Sequence, residues 1–466
     1  MKKGFLIALC CLLVAQLTGC SIFGGDTQNL MRPPKATGAK AGVQQDIEKT
    51  VGSSVTYKYP QNGEYRSAVI MHDITGDGED EAIAFYATPS TVQNTTTGIT
   101  MLVMDQNGAT GEWEVIGRFQ NPEKSTGLAV DRVCFGDMDG DGKQEIVVGW
   151  NASYDNSANV FSIYSFAEGA ETLGEEQVQD TYAELVMADI TADGKSDLLA
   201  ISVSSTITVT PETEEDVPVT QTVPASARLW QMEEETRELV STGTVDLNPD
   251  TTRYLSVIFG GIDREQVGVV LDSTQQSNTL FTQLVYWDKN QECLVAYDNI
   301  SQRSMSTVSM DMDGDGLIEI PVVSPMQGYR GQREASGACM ITQWCNFDIE
   351  LQELEPKRSM IINAADGYWF DISNSWINDV TARMESDKRS LTFYVYEEDL
   401  FGVGSQGDEL LTIQLFSKRE WGENGVEGFE LLQEKGDTVY AAKVGRADLK
   451  WSITMNEGRK NFQLVS

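Results

Sequence analysis

Four segments of this chain place oxygen-bearing side chains at one fixed spacing. They run Asp73-Ile-Thr-Gly-Asp-Gly-Glu-Asp-Glu81, Asp137-Met-Asp-Gly-Asp-Gly-Lys-Gln-Glu145, Asp189-Ile-Thr-Ala-Asp-Gly-Lys-Ser-Asp197 and Asp311-Met-Asp-Gly-Asp-Gly-Leu-Ile-Glu319. Carboxylates packed this closely repel one another unless a hard cation lies among them, and calcium takes about six to eight oxygens at about 2.3–2.6 Å. Loop positions 1, 3 and 5 supply Asp73, Thr75 and Asp77; Asp137, Asp139 and Asp141; Asp189, Thr191 and Asp193; and Asp311, Asp313 and Asp315. Glycine at position 6 admits the positive φ of a sharp turn. The main-chain carbonyl at position 7 (Glu79, Lys143, Lys195, Leu317) and the carboxylate at position 9 (Glu81, Glu145, Asp197, Glu319) then complete an oxygen shell. The spacing implies about four structural Ca2+ ions, each pinning one turn.

The first six positions also match an EF-hand, which needs a bidentate Glu at position 12 and flanking helices. Position 12 here is Ala84, Val148, Ala200 or Val322. Apolar, strand-like runs stand on both sides of each loop, such as RSAVIMH before the first and EAIAFY after it. The loops therefore join strands. Thr75 and Thr191 replace a carboxylate, so the loops at Asp137 and Asp311 are expected to bind calcium more tightly.

Each loop strand is followed by a second run (ITMLVMDQ, NVFSIYSF, ARLWQM, FTQLVYW, CMITQWC) and then by a third such as EWEVIGRF or ECLVAYD. With the strand before the loop, this makes four strands per unit. The long interval between the third and fourth loops holds YLSVIFGGIDREQVGVVLD, residues 254–272, which keeps the strand–loop–strand shape without the ligand series. It reads as a unit without metal. Five units span 64–357. Four-stranded sheets repeated at this interval predict an all-β chain folded as a β-propeller. A lone sheet cannot cover both its faces, and ring closure protects the edges.

Phe135-Gly136 before Asp137, and Phe259-Gly260 in the metal-free unit, complete the pattern. With them, the units resemble FG-GAP/VCBS-type repeats, as in the propeller of integrin alpha subunits. The resemblance covers the five units. It implies a calcium loop between the first two strands of a blade, and it implies no particular activity. The propellers it resembles have seven blades, so degenerate sequence leaves room for up to seven here.

At the N-terminus, Lys2 and Lys3 precede an apolar run that ends in Leu17-Thr18-Gly19-Cys20. This is similar to a bacterial lipoprotein signal. The resemblance implies removal of residues 1–19 and a membrane anchor through lipid on Cys20. The protein would be extracytoplasmic, on the outer face of the plasma membrane or in the outer membrane of a two-membrane cell. A Gly- and Pro-containing tether follows over 20–40. Residues 41–63 are expected to form a short helix, with Val43, Ile47 and Val51 on one face, and a lead-in strand. The insertion at 205–224 alternates Thr and Val around an acidic turn and reads as a β-arm available to a partner. Beyond 358 the loop motif does not persist, and 358–466 is expected to be a small C-terminal α+β domain.

The formal charge of −37 at pH 7 excludes nucleic acid as a partner, since such binding rests on Lys and Arg neutralising phosphates. The one histidine, His72, abuts the first loop, which leaves no base for Ser-His-Asp or Cys-His catalysis. Cys134, Cys293, Cys339 and Cys345 lack CxxC spacing and read as buried thiols. Trp113, Trp150, Trp230, Trp287 and Trp344 recur within strands and are expected in the core. No catalytic residue is assigned. The expected role is a binding or scaffold module for a protein or glycan. The alternatives are a carbohydrate-active enzyme built on paired carboxylates, or a structural subunit of an envelope complex.

Overall fold

The computed structural model describes residues 39–466 apart from 53–54, 88–97, 154–157, 168, 177–179, 210–218, 234–235, 276–278, 305–306, 330–338, 399–403 and 466. The signal, Cys20 and nearly all of the tether lie outside the described residues. By internal contacts the chain forms two compact units, Met1–Val133 with Ile146–Gln179, and Cys134–Glu145 with Asp180–Ser466.

The first unit opens with helix α1 (Ala39–Val51). Val43 and Ile47, one turn apart, are buried against Val69, Ala82, Ala84 and Leu102 of the first sheet. That sheet contains β1 (Thr56–Lys58), β2 (Val69–His72), β3 (Glu81–Ala87), β4 (Thr100–Gln106) and β5 (Trp113–Gln120). β1 and β2 share one edge of β3, so the edge strand of this sheet comes in two pieces. The second sheet follows as β6 (Val130–Gly136), β7 (Glu145–Asn151), β8 (Asn159–Phe166) and β9 (Leu173–Glu176). Every residue of β3 and of β7 is buried. A strand buried on both faces belongs to a sheet covered on both sides, which is why EAIAFYA and EIVVGWN read as continuous apolar runs. Phe85 of β3 meets Trp150 of β7 edge to face at 5.9 Å.

The second unit starts with the short β10 (Thr181–Tyr182) and a third sheet opened by β11 (Glu184–Ala188) and β12 (Asp197–Ile201). The arm leaves here as the paired strands β13 (Ser205–Val209) and β14 (Val219–Val223). β15 (Ser226–Met232) and β16 (Leu239–Asp246) complete the sheet in the order β11-β12-β15-β16. The fourth sheet runs β17 (Arg253–Gly261), β18 (Val267–Thr274), β19 (Leu280–Asp288) and β20 (Cys293–Arg303). It contains the segment read as a metal-free unit. The fifth holds β21 (Ile320–Pro325), β22 (Met340–Asp348), β23 (Glu353–Asn363) and β24 (Tyr368–Asp371). The last sheet has β25 (Val380–Glu385), β26 (Ser390–Glu398), β27 (Gly404–Ser417), β28 (Glu430–Lys435) and β29 (Thr438–Val444), in the order β25-β26-β27-β29-β28. Two short helices, α2 (Lys418–Trp421) and α3 (Met455–Asn461), precede the final strand β30 (Phe462–Leu464). β30 pairs with β24 and so rejoins the fifth sheet. The architecture is all-β, with antiparallel strand pairing from the third sheet to the last and an isolated parallel bridge between Gly261 and Leu317.

Alternation along β18 shows how these sheets stack. Val269 and Leu271 pack with Leu199, Ile201 and Leu229 of the third sheet. Val270, on the opposite face, packs with Ile318, Ile320 and Phe347 of the fifth. Successive strand residues point to opposite faces, so one strand feeds two cores. The fifth sheet repeats the arrangement. Ile341, Ile361 and Phe370 share a core with Phe393, Leu411, Ile413 and Tyr440 of the last sheet. The boundary at 358 thus falls inside β23, within a continuous core. Of the strand tryptophans, Trp150 and Trp344 are buried, whereas Trp113, Trp230 and Trp287 are half-buried. Cys134, Cys293, Cys339 and Cys345 are all free thiols.

Candidate metal centre

Three of the acidic loops join two paired strands, β2 to β3, β6 to β7 and β11 to β12, and the fourth joins the bridge residue Met310 to β21; their hydrogen bonds follow a common plan. The position-1 carboxylate spans the turn. Asp73 accepts from the N–H groups of Gly76 (2.7 Å) and Gly78 (2.9 Å), and Asp137 from those of Gly140 (2.7 Å) and Gly142 (3.0 Å). Asp189 accepts from Asp193 and Gly194, and Asp311 from Gly314 and Gly316. Position 5 accepts from the N–H of position 7 in every loop, Asp77 from Glu79, Asp141 from Lys143, Asp193 from Lys195 and Asp315 from Leu317. Position-6 glycines have φ of 92°, 88°, 93° and 89°, which meets the requirement for a left-handed residue. Position 4 is left-handed too, a constraint the sequence reading missed. Gly76, Gly140 and Gly314 fill it without strain, but the third loop has Ala192 at φ 54°.

The position-9 carboxylates lie inside the fold. Glu81 is fully buried, and Glu145, Asp197 and Glu319 are almost so. One oxygen of each accepts the N–H of position 2: Ile74 to Glu81, Met138 to Glu145, Ile190 to Asp197 and Met312 to Glu319, at 2.7–2.8 Å. Among protein groups alone, burial pushes Glu81 up to about 7 and Glu145 up to about 8, against backbone donors that pull them down. Burial raises Asp197 and Glu319 in the same way.

Position 3 separates the loops into two kinds. Where it is threonine, its N–H and hydroxyl both turn to position 9: Thr75 to Glu81 and Thr191 to Asp197. Gln231 also donates to Asp197 at 2.7 Å. Where it is aspartate, the ligand atoms converge. Asp137, Asp139 and Glu145 bring one oxygen each within 4.8 Å of one another, and so do Asp311, Asp313 and Asp315. These are the two groups of three or more Asp, Glu, His or Cys side chains that converge so closely among the described residues. In the second loop, Glu145 Oε1 is buried without a hydrogen-bond partner. An oxygen desolvated in this way is costly unless a cation or donor meets it.

Neighbouring loops are tied together. Ser196, at position 8 of the third loop, donates its N–H to the position-1 carbonyl of Asp137 at 2.7 Å. Ile318, at position 8 of the fourth loop, donates to Gly261 of the metal-free unit at 2.8 Å. Gly261 thus stands where the second loop has Asp137. In that unit the N–H of Ile262 bonds the main-chain carbonyl of Gln266, which replaces the position-9 carboxylate. The glycine of each Phe-Gly pair has a packing reason. A Cβ on Gly136 would lie 2.7 Å from Ser196 Cβ, and one on Gly260 would lie 3.0 Å from Ile318 Cδ1.

Two further residues reach the loops from β15 and the turn after it, with no motif to announce them. Gln231 is the first. Arg237 is the second, and its guanidinium donates to Asp139 and, at 3.0 Å, to Asp141. His72 lies beside the first loop, with Tyr65 edge-on at 5.5 Å.

No family model and no curated protein matches the chain. Among solved structures, it is similar to the exotype rhamnogalacturonan lyase YesX (12% identity, TM-score 0.28, 83% of this chain and 91% of that one). It is also similar to Saccharomyces cerevisiae Sqt1 (10%, TM-score 0.29, 78% and 93%) and to 1,3Gal43A, an exo-beta-1,3-galactanase from Clostridium thermocellum (10%, TM-score 0.26, 89% and 100%). Scores of this size identify neither a fold family nor a function.

Proposed function

We propose that the chain is a calcium-stabilised β-propeller that serves as a lipid-anchored, extracytoplasmic binding module. The observation that carries the calcium reading is the second loop. There Glu145 Oε1 is buried without a partner, beside Asp137 and Asp139 oxygens within 4.8 Å. A hard divalent ion satisfies that oxygen, neutralises the cluster and needs no ligand other than oxygen. Asp139, Asp141, Asp313 and Asp315 would bind through the carboxylate oxygens their own turns leave over. The fourth and fifth sheets each feed two cores, which supports a propeller, in which every blade lies between two others. The four ions are structural in this reading: with calcium at ten times its Kd, linkage adds about 1.4 kcal/mol of stability per site.

We take a glycan as the ligand class. The charge of −37 disfavours nucleic acid and anionic membranes. A cavity of about 310 Å³ beside the last sheet is lined by Trp376, Trp451, Ser373, Ser375, Lys450 and Asn461. The half-buried Trp451 ring beside hydroxyl, amide and ammonium groups suits a glycan, with Trp376 packed in the core behind it. Glycan binding abolished by Trp451→Ala would support this site, and unchanged binding would remove it.

Thermal unfolding of the 25–466 fragment tests the calcium reading. We expect the midpoint in millimolar calcium to exceed that in excess chelator by many degrees. Equal midpoints would overturn it.

A further inference from the structure

The second loop carries a cation of its own. Asp139 gives Oδ1 to the N–H of Asp141, and Asp141 gives Oδ1 to the N–H of Lys143. In each, Oδ2 makes none of these turn bonds and faces a positive charge instead. Arg237 Nη2 donates to both Oδ2 atoms. We propose that Arg237 is a tethered cation that competes with the metal ion for this loop. The proposal rests on the calcium reading above.

The guanidinium does not reach the loop by chance rotation of a long side chain, because its backbone is held. Arg237 adopts φ 56°, left-handed for a residue with a Cβ, in the turn between β15 and β16. Its N–H bonds Glu233 O at 2.8 Å, Glu233 N–H bonds Glu238 O at 2.9 Å, and Thr236 Oγ1 bonds the Glu233 carboxylate at 2.7 Å. The left-handed conformation of Arg237 is strained for a residue with a Cβ. Asp139 is nearly buried and Arg237 three-quarters so, which limits screening by water. Among the described residues, no Lys or Arg forms an ion pair with position 3 or 5 of the other loops.

The arginine does not complete the site, however. It leaves Glu145 Oε1 without a partner, within reach of the Asp137 and Asp139 oxygens. A calcium ion meeting that oxygen would also draw on the Asp139 carboxylate, which Arg237 already engages. Two positive charges at that separation repel, so each weakens the hold of the other. By reciprocity, whatever Arg237 takes from calcium affinity, calcium takes from the hold on the turn. At low calcium the β15–β16 turn is fastened to the second loop. At high calcium it is released, while the other loops change only in stability.

Two readouts test this on the 25–466 chain: calcium isotherms for wild type, Arg237→Gln and Asp139→Asn, and hydrogen exchange of the amides of Glu233–Glu238 in wild type. We expect Arg237→Gln to tighten one calcium site about fivefold, and calcium to speed exchange in the wild-type turn. Unchanged or weaker binding in Arg237→Gln, with exchange slowed by calcium, would show that Arg237 stays beside the ion as a fixed outer partner and would overturn the competition. If Asp139→Asn removes no calcium site, the loop is not a calcium site, and the reading beneath the proposal fails with it.

Discussion

Ser196 and Asp137 are joined main chain to main chain at 2.7 Å, position 8 of one loop to position 1 of the loop before it. Ile318 and Gly261 repeat the bond in units where one partner has lost every ligand. The contact therefore belongs to the repeat itself and not to the metal. It also brings position 8 against the residue preceding position 1, which leaves no room for a Cβ there.

Gly136→Ala tests that packing. The new methyl would meet Ser196 Cβ and Met187 Cγ at 2.7 and 2.8 Å, in contact with side chains of two strand ends. Overpacking of this kind costs about 1–3 kcal/mol. Chemical denaturation should show a lower midpoint at constant slope, in calcium and in chelator alike.

Glu145→Gln should act in opposite directions with and without the ion. The amide keeps a carbonyl for the Met138 N–H and places an NH2 where Oε1 now lacks a partner. It also removes one charge from the cluster. In chelator the variant should melt higher than wild type. In millimolar calcium it should melt lower, because a ligand is gone. Melting curves in the two buffers suffice, and the same sign in both would refute this role for Glu145.

The threonine loops should bind calcium more weakly than the aspartate loops. Thr75 and Thr191 direct their hydroxyl protons to Glu81 and Asp197. The position-9 carboxylate is thereby engaged, and position 3 lacks a charge. Calorimetry on Asp73→Asn, Asp137→Asn, Asp189→Asn and Asp311→Asn variants should remove tight sites only with the second and fourth. Equal losses would count against the distinction.

Ala192→Gly should stabilise the third loop. An alanine at φ 54° carries about 1–2 kcal/mol of steric strain, and glycine returns about 0.5–1 kcal/mol of that in chain entropy. A net gain of about 0.5–1 kcal/mol is expected by urea titration.

Asp272 and Arg303 form an ion pair from which solvent is fully excluded. Asp272 also accepts from Thr282 and from the N–H and hydroxyl of Ser309, which anchors the segment entering the fourth loop. Removing one partner leaves a buried charge alone, and Asp272→Ala should cost about 3–5 kcal/mol. Pairing it with Arg303→Met should recover only part of the loss, since the Ser309 N–H still lacks its acceptor. Denaturation of the single and double variants measures both.

Much of the local order follows from residue types alone. Ligand spacing, left-handed glycines and apolar runs around each loop act over a few residues, so the loops, their flanking strands and the helix face of Val43 and Ile47 were legible in the chain. The metal-free unit was legible too, because strand patterning survives the loss of ligands. The left-handed φ at position 4 was equally local and was overlooked because Ala192 hides it. Tertiary structure decided the rest. No spacing rule brings Arg237 to Asp139, or Gln231 to Asp197, since hairpin pairing sets those approaches. The burial of Glu145 Oε1 is set by packing around the loop, not by ligand spacing. The strand β30 joins β24 across most of the last sheet, and one core spans the expected boundary at 358. These are contacts between residues far apart in sequence, and packing of the whole sheets, not the preference of any segment, selects them.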